Sequence, residues 1–91
     1  RHLYVANQMS NDVTVYMIDG STGALTQITG SPFPAGSAPL GIKMDETGKL
    51  MYVTNMVSNS VSVYSVDAPT GGLQLLQTAN TPGNAFAIEL L

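Results

Sequence analysis

The amino-acid sequence predicts an all-β protein made of two copies of one four-stranded antiparallel unit. When the sequence is shifted by 48 positions, residues 2–25 align with residues 50–73, and 12 of these 24 positions are identical. Unrelated segments of that length would share about one or two residues at average residue frequencies. In both copies, β-branched and aromatic residues alternate with polar ones, as they do in half-buried strands. No stretch keeps a helical apolar stripe over three turns.

Each copy divides into four short strands. Their predicted ranges are 3–6, 13–18, 25–29 and 40–45 in the first copy, and 51–54, 61–66, 73–78 and 85–90 in the second. The segment 30–39 contains three prolines and two glycines, so we predict a crossing connection there and no strand. The chain is therefore divided into a first repeat, residues 1–45, and a second repeat, residues 46–91.

Turn residues separate the predicted strands at matching places in the two copies. Asn tolerates a positive φ, so the Asn of each Ser-Asn loop suits a hairpin turn. An Asp side chain can accept the backbone N–H groups of its own turn, and Gly takes the left-handed position that closes the turn. The residues to which we assign these structural turn roles are Asn11, Asn59, Asp19, Asp67, Gly23, Gly71 and Gly48.

Four strands per unit, with a period in the forties, indicate the blade of a β-propeller. The letters YVTN occur at residues 52–55, and the variant YVAN occurs at residues 4–7. Both copies continue with SN-x-V-[TS]-V-Y, then [IV]-D, then TG-x-L. Over nearly the whole chain, these motifs resemble the YVTN-repeat propellers, and among them the 6-phosphogluconolactonase-like (lactonase) family of seven-bladed propellers. The resemblance implies a two-blade unit of a larger ring.

By this resemblance, the strands follow the order B-C-D-A-B-C-D-A, where A is the innermost strand of a blade. The leading blade then lacks an inner strand, and residues 85–90 form an inner strand without a blade of its own. We expect this strand of one chain to complete the leading blade of another, so that three or four chains close a ring of six or eight blades. Two alternatives are that the chain is part of a longer propeller, or that its open edges produce aggregates.

Composition excludes several classes of partner and site. Only 10% of the residues are charged, the net charge is −3, and Lys and Arg total three, which argues against a nucleic-acid-binding surface. No apolar run reaches the roughly 20 residues of a membrane span. The absence of Cys excludes disulfides and thiol chemistry. The sequence opens on Arg1 without a targeting signal, so we expect a processed or excised segment and assign no compartment.

No residue is predicted to be catalytic or to bind a cofactor or a metal. His2 is the single histidine, and its position holds Leu in the second copy, so we interpret it as a strand-edge residue. Asp45 and Glu46 are adjacent in a turn, where carboxylates are normally solvated. Asp19 and Asp67 recur in both copies, which suits turn capping, because a catalytic group is normally unique in a monomeric propeller.

Lys43 and Glu89 occupy matching positions on the two predicted inner strands. If the inner strands line a central channel, both side chains would point into it. Repeated around a ring, they would place alternating charges along the pore. This pair is our candidate for channel-lining residues.

The sequence therefore favours a non-enzymatic propeller building block that assembles with itself as a scaffold or interaction module, either engineered or excised from a lactonase-like propeller. The alternative is a fragment of an enzyme that hydrolyses a sugar lactone such as 6-phosphogluconolactone. A phosphorylated substrate needs clustered basic residues, and the chain offers only Arg1, Lys43 and Lys49. A third interpretation is an extracellular surface-layer-type propeller, which suits the low charge and the Ser-, Thr- and Asn-rich strands.

Overall fold

Two four-stranded antiparallel sheets form the protein in a computed structural model, which describes residues 1–83 and 87–89. The strands are β1 (His2–Asn7), β2 (Asp12–Ile18), β3 (Leu25–Gln27), β4 (Phe33–Pro34), β5 (Pro39–Met44), β6 (Leu50–Asn55), β7 (Ser60–Val66) and β8 (Leu73–Asn80). No helix is present in the described part of the chain. The predicted all-β class is confirmed.

The second sheet is a complete blade. Its strand order is β5-β6-β7-β8, so strands that follow one another in the sequence are also neighbours in the sheet. Gly48, with a φ of 75°, lies in the turn between β5 and β6, and Asn59, with a φ of 52°, lies in the turn between β6 and β7. These backbone conformations favour Gly and tolerate Asn, which explains why tight hairpins form at these two places.

The first sheet has the order β1-β2-β3, with β4 also paired to β2. β1 pairs with β2 along its whole length, and no described strand lies on its other edge. In the second sheet, the equivalent strand β6 has β5 on that edge, from Gly41 opposite Thr54 to Met44 opposite Met51. The predicted blade order, a B-C-D set followed by an A-B-C-D set, is confirmed, and the first blade has an open inner edge.

The prediction that residues 30–39 contain no strand is wrong, because Phe33–Pro34 pair with β2 as strand β4. The reason is the length of β2, which extends beyond the short β3 and leaves backbone groups that need hydrogen-bond partners. The N–H of Val15 donates to Ser31 Oγ at 2.9 Å, which fills the gap between β3 and β4. In the second sheet, β8 covers the equivalent edge as one continuous strand.

The predicted inner strand at residues 85–90 lies largely outside the described residues. Its described part, residues 87–89, is not in a strand. The other inner strand, β5, begins at Pro39, and its register shifts between Pro39 and Gly41. Leu40, which lies at this shift, is 40% exposed.

The hydrophobic core lies between the two sheets. It consists of side chains from β2, β6 and β7 that are at most 1% exposed: Val13, Val15, Met51, Val53 and Tyr64. Burying a large apolar side chain contributes about 1.5–3 kcal/mol relative to leaving it exposed. The contact of one blade with the other is therefore a main source of stability.

Candidate functional site

The contact between the two sheets, called the blade junction below, is the candidate functional site. Val13 and Val15 of β2 lie on one side of it, and Met51 and Val53 of β6 lie on the other, all 0% exposed. Repeats of this kind bury their hydrophobic faces only against neighbouring repeats. The blade junction is therefore a surface through which one blade recognises another.

Two tyrosine hydroxyls cross the blade junction in opposite directions. Tyr4 of the first blade donates to the carbonyl of Gly71 at 3.2 Å, and Tyr64 of the second blade donates to the carbonyl of Pro34 at 2.6 Å. Burial raises the pKa of both tyrosines, because the phenolate form would be poorly solvated there. Both hydroxyls therefore keep their proton at neutral pH and act as donors.

The connection that enters β5, residues 35–38, is hydrogen-bonded to both blades. Three of its backbone N–H groups donate to side-chain oxygens: Gly36 to Asn55 Oδ1 at 3.0 Å, Ser37 to Ser58 Oγ at 3.0 Å, and Ala38 to Asn11 Oδ1 at 2.9 Å. Asn11 belongs to the first blade and the other two acceptors to the second. A Cβ at Gly36 would lie 2.7 Å from Asn55 Cγ and 2.6 Å from Ser58 Oγ, so this position requires glycine.

Asn55, the last residue of the YVTN motif, is 0% exposed and fully hydrogen-bonded. Its Nδ2 donates to Ser60 Oγ at 3.1 Å and to Ser62 Oγ at 2.9 Å, while its Oδ1 accepts the N–H of Gly36. Asn7, the matching residue of the first blade, also donates two hydrogen bonds to its own hairpin. The motif asparagine thus holds its hairpin, and in the second blade it also holds the incoming connection.

Asn11 and Asn59, the two hairpin asparagines, differ in their partners. Asn11 Oδ1 accepts the N–H of Ala38. The carbonyl of Asn59 accepts the N–H of Thr81 at 2.7 Å, but its buried Oδ1 has no hydrogen-bond partner among the described residues. The position that matches Ala38 in the repeat is residue 84, which lies outside the described residues.

The Asp and Gly residues with predicted turn roles lie in two matching turns and one further hairpin. Gly23 N–H donates to the Asp19 carbonyl at 2.8 Å, and Gly71 N–H donates to the Asp67 carbonyl at 2.7 Å. The φ angles of Gly23, Gly71 and Gly48 are 78°, 80° and 75°. The two blades therefore present the same turn, after β2 in the first blade and after β7 in the second.

Asp19 and Asp45 have a lowered pKa. The backbone N–H and the hydroxyl of Ser21 lower the pKa of Asp19, and the hydroxyl of Thr47 followed by the N–H of Leu50 lowers that of Asp45. These donors favour the carboxylate form. A general acid or base at neutral pH needs a pKa near the working pH, so both groups suit turn capping.

The remaining residues singled out from the sequence are His2, Lys43 and Glu89. The His2 ring packs on the turn of the second blade, where a Cβ at Gly71 would lie 2.5 Å from His2 Cδ2. Lys43 is exposed on β5, and Glu89 is exposed outside any strand. No described hydrogen bond joins Lys43 to Glu89, and their channel-lining role stays a prediction.

Residues 1–83 and 87–89 contain neither a metal-binding cluster nor a membrane-spanning helix. No group of three or more His, Cys, Asp or Glu residues there is arranged to hold a metal ion. Likewise, no helix within these ranges is long and apolar enough to cross a membrane.

Two features of the blade junction were not predicted from the sequence. The sequence alone assigns no contact between blades to Tyr64, whereas its hydroxyl bonds to the other blade. The role of Gly36 as the close contact of Asn55 was also missed. The signal for the tyrosines is their recurrence at matching positions in both copies, beside matching turns.

Comparisons with known proteins agree with this architecture. The family model "Lactonase, 7-bladed beta-propeller" matches residues 1–89. A solved protein from Lactobacillus plantarum is 28% identical, with a TM-score of 0.86 over 94% of this chain and 25% of its own. The periplasmic gluconolactonase PpgL of Pseudomonas aeruginosa is 22% identical, with a TM-score of 0.86 over 94% of this chain and 24% of its own. The search of curated proteins gave no match.

The chain spans about a quarter of the length of these solved structures. It carries two sheets with the blade strand order, and the family model covers it almost from end to end. The chain belongs to the lactonase family of seven-bladed β-propellers.

Proposed function

We propose that the chain is a non-enzymatic propeller-building module that closes into a ring with further copies of itself. The observation that carries this proposal is a difference in exposure between equivalent residues. Met51 and Val53 are 0% exposed inside the blade junction, whereas their counterparts Leu3 and Val5 are 39% and 36% exposed. If the second blade of another copy packed on Leu3 and Val5, it would bury them as Met51 and Val53 are buried.

The second blade offers the matching surface. Val61 and Val63 of β7 are half-buried and correspond to Val13 and Val15, which are 0% exposed in the blade junction. One copy therefore has an open face of each kind. Packing the second blade of one copy on the first blade of the next repeats the internal junction, and such head-to-tail contacts generate rings when the rotation closes.

The open edge of β1 supports the same arrangement. Residues 87–89 pair with no described strand and correspond in the repeat to residues 41–43 of β5, the inner strand that covers β6. In the proposed ring, residues 87–89 of one copy cover β1 of the next. Two blades per copy give six blades from three copies or eight from four.

The substitution Val5→Asp tests this proposal. In the single chain Val5 is accessible, so the variant is expected to fold with an unchanged circular dichroism spectrum. In the ring Val5 is buried, and burying an unpaired carboxylate there is costly. The variant is therefore expected to elute from gel filtration as a single chain, while the unmodified protein elutes as a ring.

Met9→Asp is the matched control, because Met9 is 94% exposed in the loop between β1 and β2. This variant is expected to elute with the unmodified protein. If Val5→Asp also elutes at the unmodified position, the face around Val5 is not an interface and the proposal fails.

The second candidate function is a contribution of two blades to a sugar-lactone hydrolase. Membership of the lactonase family favours it. The test is hydrolysis of gluconolactone and of 6-phosphogluconolactone by the purified chain, measured against buffer. The building-block proposal predicts no rate above buffer. A rate that grows in proportion to the protein concentration would establish hydrolase activity in its place.

A further inference from the structure

The four tyrosines of the chain divide into two pairs related by the 48-residue repeat. Tyr4 and Tyr64 bond across the blade junction, and their counterparts are Tyr52 and Tyr16. We infer that Tyr52 and Tyr16 recognise neighbouring copies of this chain. Tyr52 donates to the carbonyl of Gly23 in one neighbour, and Tyr16 donates to the carbonyl of Asn80 in the other. This inference rests on the proposed ring.

The two donors occupy the same strand positions as the tyrosines that already bond. Tyr52 pairs with Val63 as Tyr4 pairs with Val15. Tyr16 pairs with Leu3 as Tyr64 pairs with Met51. Both Tyr52 and Tyr16 are half-exposed in the single chain. Their hydroxyls therefore lie on the two open blade faces that the ring would bury.

The Gly23 carbonyl lies in the same kind of turn as the carbonyl of Gly71, which accepts from Tyr4. The φ angles of the two glycines are 78° and 80°, and each N–H bonds to the aspartate that opens its turn, at 2.8 Å and 2.7 Å. The Cβ position of Gly71 is covered by His2, whereas no atom of the described residues lies within 4 Å of that of Gly23. The Gly23 carbonyl therefore lies in an equivalent turn that has no such covering side chain.

The Asn80 carbonyl is placed like that of Pro34, which accepts from Tyr64. Pro34 pairs with Asp12, and Asn80 pairs with Ser60, the equivalent residue of the second blade. In both blades the next residue along the chain donates its N–H to the carbonyl of the hairpin asparagine, at 3.0 Å and 2.7 Å. The backbone therefore runs alike through both acceptor positions.

These hydroxyls would fix how two copies meet, in addition to adding affinity. An apolar face alone permits sliding or reversed stacking. A phenol that is buried without an acceptor costs free energy, so arrangements that leave Tyr52 or Tyr16 unpaired are disfavoured. Correct stacking satisfies both hydroxyls at each contact between copies.

The test uses Tyr52→Phe, Tyr16→Phe and the double variant of the full chain, with ring dissociation followed by sedimentation on dilution. Each Phe removes one hydroxyl and keeps the ring stack, so each contact is expected to weaken roughly two- to tenfold, and the double variant more than either. Tyr4→Phe is the control for loss of a tyrosine hydroxyl within one chain. It removes the hydrogen bond to the Gly71 carbonyl and is expected to lower the thermal stability of the chain itself.

The possible results separate this inference from the proposed ring. If the unmodified chain forms a ring and both Phe variants dissociate at the same concentration as it does, the tyrosine contacts are overturned and the ring stands. If the unmodified chain never assembles, the ring and the tyrosine contacts are both overturned.

Discussion

Replacement of Asn55 by Ala is expected to lower the free energy of unfolding by about 3 kcal/mol. Asn55 is 0% exposed, and its three hydrogen bonds join its own hairpin to the connection that enters β5. The Ala variant leaves Ser60, Ser62 and the Gly36 N–H without that side chain. Because Ser60 and Ser62 are themselves buried, water replaces the lost contacts poorly. Urea unfolding at a fixed chain concentration measures the loss.

Asn7→Ala is the matched control in the first blade. Asn7 makes two equivalent hydrogen bonds to its own hairpin but is only half-buried, so water can replace part of what is lost. We expect a loss of about 1 kcal/mol. Equal losses for the two variants would contradict the role assigned to Asn55 at the blade junction.

Replacement of Tyr64 by Ala is expected to cost about 4 kcal/mol, within the range for emptying the site of a large buried aromatic side chain. Tyr64 is 1% exposed, belongs to the core cluster, and donates to the Pro34 carbonyl at 2.6 Å. Its removal opens a cavity between the blades and cuts a hydrogen bond between them. A loss of this size is a large share of the stability of a small domain, roughly 5–15 kcal/mol.

Tyr64→Phe separates the two contributions of this residue. The Phe variant keeps the packed ring and loses only the hydroxyl, so it is expected to cost about 1 kcal/mol. Thermal unfolding of the two variants side by side measures the difference. If Phe is as damaging as Ala, the hydrogen bond and not the packing dominates, and the core assigned to the blade junction is incorrect.

The strands and their hairpins could be predicted from the sequence because both depend on local patterns. Alternation in segments such as Ser60–Val66 places every second side chain on one face, and this requires no knowledge of the partner sheet. Asn59 and Gly48 identify turns because few residues adopt a positive φ. Because the same local pattern occurs in both copies of the internal repeat, the blade could be predicted more firmly than from either copy alone.

The contacts between blades could not be predicted in the same way, because they join residues distant in the sequence. Tyr64 and Pro34 are 30 residues apart, and no local pattern relates a phenol to that carbonyl. The strand at Phe33–Pro34 was missed because Pro34 and the preceding Pro32 argue against a strand, while the unpaired length of β2 favours one. Competition of this kind is decided by tertiary structure.

The absolute mass of the unmodified protein, measured by light scattering during gel filtration, tests the central proposal most directly. The proposed ring predicts one species of three or four times the 9.5 kDa chain mass, with that mass kept on moderate dilution. A folded species of one chain mass at every concentration would contradict the proposal, and would mean that the open faces around Val5 and Val63 are stable in water.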